Sequence, residues 1–332
     1  MIPAIRRLLP GLALLAVVAG IAAVVGPVVP VVTPLLLAIG LGAGIANTVG
    51  VPRRCRPGVA KHSRLLEVAI VLLGARLSLD AIVAAGPRLA ALVLGIVGFG
   101  LLTVTALARI AGLHDRLGSL LAAGSTICGI SAIAAVAPIC EAEDSEVAHA
   151  AATILLFDAV TLLVFPGIGQ VLGLESKVYG VWIGLSMFST GPVAAAGFAH
   201  SAAAGEWATV TKLARNALIG LVAVGYSVRY AGDAGDARRR VPRARRIWTE
   251  FPTFLLGFLL LAAITTLGVL PAAVAGAVVA TSDVLFLLAF AGLGFDISLT
   301  AMRKTGLVPV AVVGTYLVVA SGVAYVLVTL AF

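Results

Sequence analysis

Charge is what this 332-residue sequence has least of. Asp, Glu, Lys and Arg make up 11% of it, roughly half of what a soluble domain carries, while 61% is hydrophobic and the mean hydropathy is +1.13. So few charged side chains cannot coat an ordinary soluble fold. Cysteine is almost missing too. Cys55, Cys128 and Cys140 are odd in number and lack metal-ligand spacing, and the last two read as small apolar residues in packed helices. Enzyme signatures are also absent: no His-Glu-x-x-His helix, P-loop or Asp-x-x-x-Asp pair lies in any apolar run. A Ser–His intramembrane protease from Ser125 or Ser131 with His149 lacks a Gly-x-Ser-x-Gly elbow. The expectation is no enzyme, no cofactor and no metal. No polar stretch is long enough to fold alone, so residues 1–332 read as a single integral membrane domain.

What fills the chain instead is apolar runs of about 20 residues, each able to cross a hydrocarbon core of about 30 Å. Breaking them at charge clusters and Gly or Pro turns gives about eleven spans. They fall near 9–31, 33–49, 63–85, 88–112, 117–139, 147–172, 178–202, 206–230, 251–271, 273–298 and 306–331. The net charge of +8 is concentrated in short connections: Arg6 and Arg7; Arg53, Arg54, Arg56, Lys61 and Arg64; Arg238 to Arg240 with Arg243, Arg245 and Arg246. Cytoplasmic loops collect Lys and Arg in this way. Beyond Trp248 these loops hold little of the aromatic or polar character of a nucleic-acid surface, so no nucleic-acid partner is expected. The partner expected is the lipid bilayer; the 233–246 run reads as a plain cytoplasmic loop, with contact to anionic headgroups as the alternative. With a cytoplasmic N-terminus every strongly basic loop lies inside. The acidic turn EAEDSE (141–146) and the short turns near 86, 204 and 272 then lie outside, as does Phe332. The start, MIPAIRRLLPGLALLAVVAGIAA, resembles a signal peptide but reads as an uncleaved first helix, because many spans follow.

Two apolar spans carry residues that lipid-facing helices do not need. GSTICGISAIAAVAP (124–138) has Gly124 and Gly129, which permit close approach or unwinding, and Ser125, Thr126 and Ser131, whose hydroxyls can serve freed backbone groups. Pro138 removes a donor. GLSMFSTGPVAAAG (184–197) repeats the theme with Ser189, Thr190, Gly191 and Pro192. In lipid a broken helix survives only where protein or a watery cavity satisfies its backbone. The N-terminus created by a break attracts an anion, and paired interrupted helices point to a mid-membrane binding site. Tight packing of small residues explains either segment taken alone.

Ionisable residues within spans are few: Glu67, Arg76, Asp80, Asp158, Lys212, Arg215, Asp283 and Asp296. Each needs a cavity or a partner. Arg76 and Asp80 are spaced to pair on one helix face. Lys212 and Arg215 can supply positive charge to an anion or snorkel to an interface. Asp158 and Asp283 are the deepest acids. LLGARLSLDAI (72–82) and LAFAGLGFDISLTAM (288–302) share an apolar run, a Gly and then Ser-Leu with an Asp nearby, as an inverted repeat would leave behind. A division of the spans into two sets of five is the other way to draw the symmetry.

GSTICGISAIAAVAP, followed by EAEDSEVAHAAATILLF, closely resembles the Gly-(Ser/Thr)-(Ser/Thr)-Ile-Cys-Gly-x-Ser-Ala-Ile-Ala-Ala segment of the YeiH-type membrane proteins, a family to which sulfate export has been ascribed. LLGARLSLDAI, TKLARNALIG, FPTFLLGFLLLAAITTLG and LAFAGLGFDISLTAM resemble its other landmarks, in the same order. The resemblance covers nearly the whole chain and implies a multi-pass protein of the bacterial inner (plasma) membrane. One stretch departs from it. Where the family tends to have Ser-Ile-His-(Glu/Asp)-x-x-Gln, this chain reads Ser186-Met187-Phe188-Ser189-Thr190-Gly191-Pro192, without the His, the acid or the Gln.

The expectation is therefore an all-α polytopic secondary transporter with inverted repeats and two interrupted helices. Ser125, Thr126, Cys128, Gly129 and Ser131 would surround a small anion (sulfate, sulfite or an organosulfonate), with Ser189 and Thr190 opposite. Lys212 or Arg215 would offset its charge, and Asp283 or Asp158 would couple a proton or sodium. A homo-oligomer is left open. The rival is a non-transporting scaffold or sensor that kept the fold. A polar cavity between the two interrupted helices favours transport, and a close-packed apolar contact favours the scaffold.

Overall fold

A computed structural model describes residues 2–28, 33–77, 79–231, 253–302 and 306–332. The basic run 233–246 and Arg303-Lys304 lie outside the described residues. Among those described, all regular structure is helical and no strand forms. In chain order the helices are α1 (Ile2–Val25), α2 (Pro34–Thr48), α3 (Arg56–Val59), α4 (His62–Leu73), α5 (Leu79–Ile110), α6 (Asp115–Ala123), α7 (Ile130–Val136), α8 (Asp144–Val171), α9 (Ser176–Ser186), α10 (Thr190–His200), α11 (Ala202–Asn216), α12 (Ile219–Ala231), α13 (Phe254–Thr266), α14 (Ala272–Asp296), α15 (Leu299–Met302) and α16 (Leu307–Ala331).

Among the described residues, six segments are long and apolar enough to cross a membrane: Arg7–Val28, Ile82–Ile110, Asp144–Val171, Ala202–Tyr230, Ala272–Asp296 and Leu307–Ala331. Helices α2 and α13 are shorter apolar helices. The chain is a polytopic all-α membrane protein. The turn expected near residue 86 is not there, since α5 runs through Gly86 and Pro87. Proline removes one backbone donor, a loss that membrane helices tolerate when neighbours satisfy the freed carbonyl. The interruption comes earlier, as a 3₁₀ turn at Gly74–Arg76 followed by extended Leu77 (φ −94°, ψ 136°).

The described residues fall into two compact units. The first comprises residues 1–84 and 253–300, and its helices approach through glycines. A Cβ on Gly74 would collide with the Phe258 carbonyl and lie 3.2 Å from Ala262 N. A Cβ on Gly294 would collide with the Ile39 carbonyl and lie 2.9 Å from Ala43 N. The two contacts are equivalent: each glycine closes a helix that then breaks, and each packs on the backbone of a short apolar helix. The breaks match as well. Leu77 and Ile297 are both extended, and helices restart at Leu79 and Leu299.

Each restarting helix is capped from the opposite end of the sequence. The amide of Leu79 donates to Thr266 Oγ1 (2.9 Å), and that of Leu299 donates to Asn47 Oδ1 (2.8 Å). Asn47 Nδ2 also donates to the Ile297 carbonyl (2.7 Å). Ion pairs tie the same elements together: Arg76 to Asp283 (3.1 Å) and His62 Nε2 to Asp296 (3.1 Å). Asn47→Leu is expected to cost about 1–2 kcal/mol and Thr266→Val about 1 kcal/mol, as lost N-caps do. In hydrogen exchange each variant should accelerate the amide it caps, Leu299 or Leu79, and leave the other protected.

The second unit comprises residues 85–252 and 301–332. Here α11 lies along both α9 and α10. Glycines again set the spacing: a Cβ on Gly180 would meet the Ala204 carbonyl, one on Gly184 the Thr211 side chain, and one on Gly197 the Gly205 Cα. Small residues let backbones approach closely in membranes. This approach brings the long side chains of α11 within reach of the carbonyls of α9. Helix α16 closes the unit, with Trp182 Nε1 donating to the Ser321 carbonyl (2.9 Å) and Tyr316 stacked 6.3 Å from Phe188.

Candidate functional site

Both interrupted helices lie in the second unit. The first runs through α6 and widens into one π turn at Gly124–Cys128, closed by Gly129 N donating to the Gly124 carbonyl (2.9 Å). It then reverses at Gly129 (φ 63°, ψ −129°), a conformation that L side chains avoid. Helix α7 follows and has only seven residues. The second runs through α9, extends at Met187 (φ −76°, ψ 156°) and restarts as α10 with Ser189 at its N-cap. The two breaks touch, because a Cβ on Gly129 would overlap Ser189 Oγ.

A break in an apolar environment leaves carbonyls at one helix end and N–H groups at the next, all in need of partners. Here the carbonyls go to two cations from α11. Lys212 Nζ donates to Ile127 (2.7 Å) and Met187 (3.2 Å). Arg215 donates to Thr126 through Nε (3.2 Å) and Nη2 (2.7 Å), and to Ser125 through Nη2 (3.3 Å). Its Nη1 serves Gly184 (2.8 Å), Leu185 (2.7 Å) and Met187 (2.8 Å). Both side chains have 0% exposure. A cation is favoured at a helical C-terminal end, and these two sit on two such ends at once.

The N–H groups fall to an acid. Ser189 N donates to Asp158 Oδ1 (3.0 Å) from α8. The next two amides, of Thr190 and Gly191, open the first turn of α10 and have no intrahelical acceptor. Pro192 brings none to satisfy. Asn216 Nδ2 donates to Thr190 Oγ1 (3.0 Å) at the same terminus. Asp158 Oδ2, Asn216 Oδ1 and Thr211 Oγ1 are buried and have no hydrogen-bond partner among the described residues. Unpaired buried oxygens are scarce in folded proteins, and those of Asp158 and Asn216 belong to side chains bonded to one helix start, which marks a place built for something else.

The structure sorts the residues singled out in the sequence. Ser125 and Thr126 are fully buried, and their hydroxyls donate back to Leu121 (2.7 Å) and Ala122 (2.6 Å), so they shape the π turn and face no open space. Cys128 is buried, and Gly129 makes the contact between the breaks. Ser131 is exposed, while Ser189 and Thr190 are half-buried; these three form the accessible edge of the crossing. Lys212 and Arg215 hold both broken ends together. Asp158 belongs to the crossing, whereas Asp283 is in the first unit, paired with Arg76. Asn216 was overlooked in the sequence, although it follows Arg215 directly in TKLARN. Its role depends on Thr190, which lies in a separate span.

This geometry accompanies a family match over nearly the whole chain. A family described as "Conserved hypothetical protein 698" matches residues 10–313. The chain belongs to this family. Its curated relatives carry the name UPF0324 membrane protein. One from Bacillus cereus is 32% identical over 283 residues, covering 84% of this chain and 79% of the relative. One from Nitratidesulfovibrio vulgaris is 31% identical over 317 residues (92% and 88%). One from Bradyrhizobium diazoefficiens is 33% identical over 309 residues (91% and 87%). No solved structure matches the chain. The YeiH-type resemblance read from the sequence agrees with this family.

Proposed function

We propose that this family member is a secondary transporter that carries a small sulfur oxyanion (sulfate, sulfite or an organosulfonate) at the crossing of its two interrupted helices. One observation carries the reading. Two broken helices meet over two buried cations, beside a helix N-terminus that the Ser189 side chain does not cap and whose Thr190 and Gly191 amides have no acceptor within their own helix. Ser131, Ser189 and Thr190 would provide the accessible hydroxyls. Lys212 and Arg215 would act on the anion through their charge, since their donors are engaged with carbonyls. Asp158 is the coupling candidate in preference to Asp283, because it caps the same helix end.

The reading includes an inverted repeat. The paired contacts of Gly74 and Gly294, and the paired caps from Thr266 and Asn47, support it in the first unit. It also includes a cytoplasmic N-terminus, supported by the basic loops, and leaves room for a homo-oligomer. A scaffold without transport is the second reading, favoured by the loss of the His-acid-Gln group at 186–192. The polar character of the crossing weighs against it.

Proteoliposome flux of labelled sulfate and sulfite separates the two readings. Transport is expected with the wild type, reduced about tenfold by Thr190→Val, the order of effect of one lost hydrogen bond to a charged group. A folded protein that moves no sulfur oxyanion would leave the scaffold.

A further inference from the structure

We infer that the crossing binds a divalent oxyanion together with one proton, taken up by Asp158, and binds a monovalent one without it. The inference rests on the anion site proposed above and assigns its charge stoichiometry.

Among the described residues, the buried charged side chains are Asp158, Lys212 and Arg215. They meet at one break, where Asp158 takes the Ser189 amide while Lys212 and Arg215 take the Met187 carbonyl two residues before it. Lys212 and Arg215 each rest on the carbonyls of two helical C-terminal ends, where a positive charge is held. Two cations and one carboxylate leave an excess of one positive charge away from water. Such a charge is expensive to bury without a counterion. A bound monoanion balances it while Asp158 stays ionised. A bound dianion balances it only when Asp158 is neutral.

Position leads to the same requirement. The carboxylate and the anion would share one helix start: Asp158 takes the Ser189 amide, and the next two amides have no acceptor within their own helix. Like charges at such separation oppose each other, and a proton on one removes the conflict. Asp158 has an oxygen available for it. Oδ1 holds the Ser189 amide, while Oδ2 is buried and has no partner among the described residues. A proton on Oδ2 leaves the Ser189 bond intact and provides a donor. The other titratable groups around the cluster are the Cys128 thiol from the π turn and the Tyr316 phenol from α16, both of which face Arg215; α7 and the start of α10 contribute none.

Isothermal titration calorimetry on the full chain in nanodiscs tests this, run in two buffers of different ionisation enthalpy to count protons. Sulfate and methanesulfonate serve as the probes. Both are added as N-methyl-D-glucamine salts, so that sodium cannot replace the proton. The expected result is about one proton taken up per sulfate above neutral pH, with affinity falling about tenfold per pH unit, as linkage requires. Methanesulfonate should take up none. Asp158→Asn should bind sulfate with no pH slope, and Asp283→Asn should behave as wild type. Sulfate binding without proton uptake, or an Asp158→Asn protein that keeps the wild-type slope, overturns the inference and leaves the anion site standing. If folded wild type binds neither anion, the anion site falls and the inference with it. Should Asp158→Asn fail to fold, the wild-type proton count decides the matter by itself.

Discussion

Arg215→Leu is expected to melt roughly 10 °C below wild type, the shift that a loss of about 3–5 kcal/mol produces in a unit of this size. The guanidinium makes six hydrogen bonds to five carbonyls, of Ser125, Thr126, Gly184, Leu185 and Met187. All five lie where a helical segment ends, so no backbone donor replaces the lost ones. At 0% exposure, water does not reach them either. Each orphaned buried acceptor costs about 1–3 kcal/mol, and the sum is not additive because Lys212 still serves Met187. Arg215→Lys keeps the charge and loses the fork, so it should fall between the two. Thermal melting in detergent, followed by size-exclusion, measures the series. An Arg215→Leu protein within about 2 °C of wild type would contradict the bonding described, given the scale of such shifts.

Gly129→Ala is the second large effect, with two separable causes. The backbone there (φ 63°, ψ −129°) lies in territory that an L residue enters at a cost of about 1–3 kcal/mol. The new methyl would also overlap Ser189 Oγ and force the breaks apart. Overpacking of this kind costs a further 1–3 kcal/mol or so. Gly129→Ala combined with Ser189→Gly relieves the overlap but not the backbone strain, so it should recover about half of the lost stability, in line with the near-equal estimates for the two terms. Sulfate affinity should fall further than stability in the single variant, because separation of the breaks moves Thr190 and Gly191 away from the cations. If the single variant melts with wild type, the two breaks do not touch.

Parts of this arrangement were legible in the sequence because the chemistry was local. The interruptions within 124–138 and 184–197 stand out, since Gly, Ser, Thr and Pro have no reason to gather in an apolar span unless the helix yields there, although the second break falls at Met187, just before the Ser189–Pro192 cluster that signals it. The break at 74–77 was not anticipated. Its backbone is satisfied by Thr266, and nothing near Gly74 signals a partner so far along the chain. Gly86-Pro87 misled in the opposite direction, because a continuous helix tolerates one proline when packing compensates. Lys212 and Arg215 were recognisable as intramembrane cations. Their partners were not, because those are carbonyls, which every residue carries. Asp158 and Asp283 were indistinguishable in sequence. Only tertiary packing gives one of them to a helix start and the other to Arg76.

The exchanged caps of the first unit have a consequence for biogenesis. The Leu79 amide finds its acceptor in a residue translated 187 positions later, and the Leu299 amide finds its own 252 positions earlier. The early half therefore enters the bilayer with one helix start still unsatisfied. It remains so until the ribosome has delivered residues 85–252 and the return of α13. Assembly of the first unit is thus a post-insertion event, and its two halves mature together or not at all.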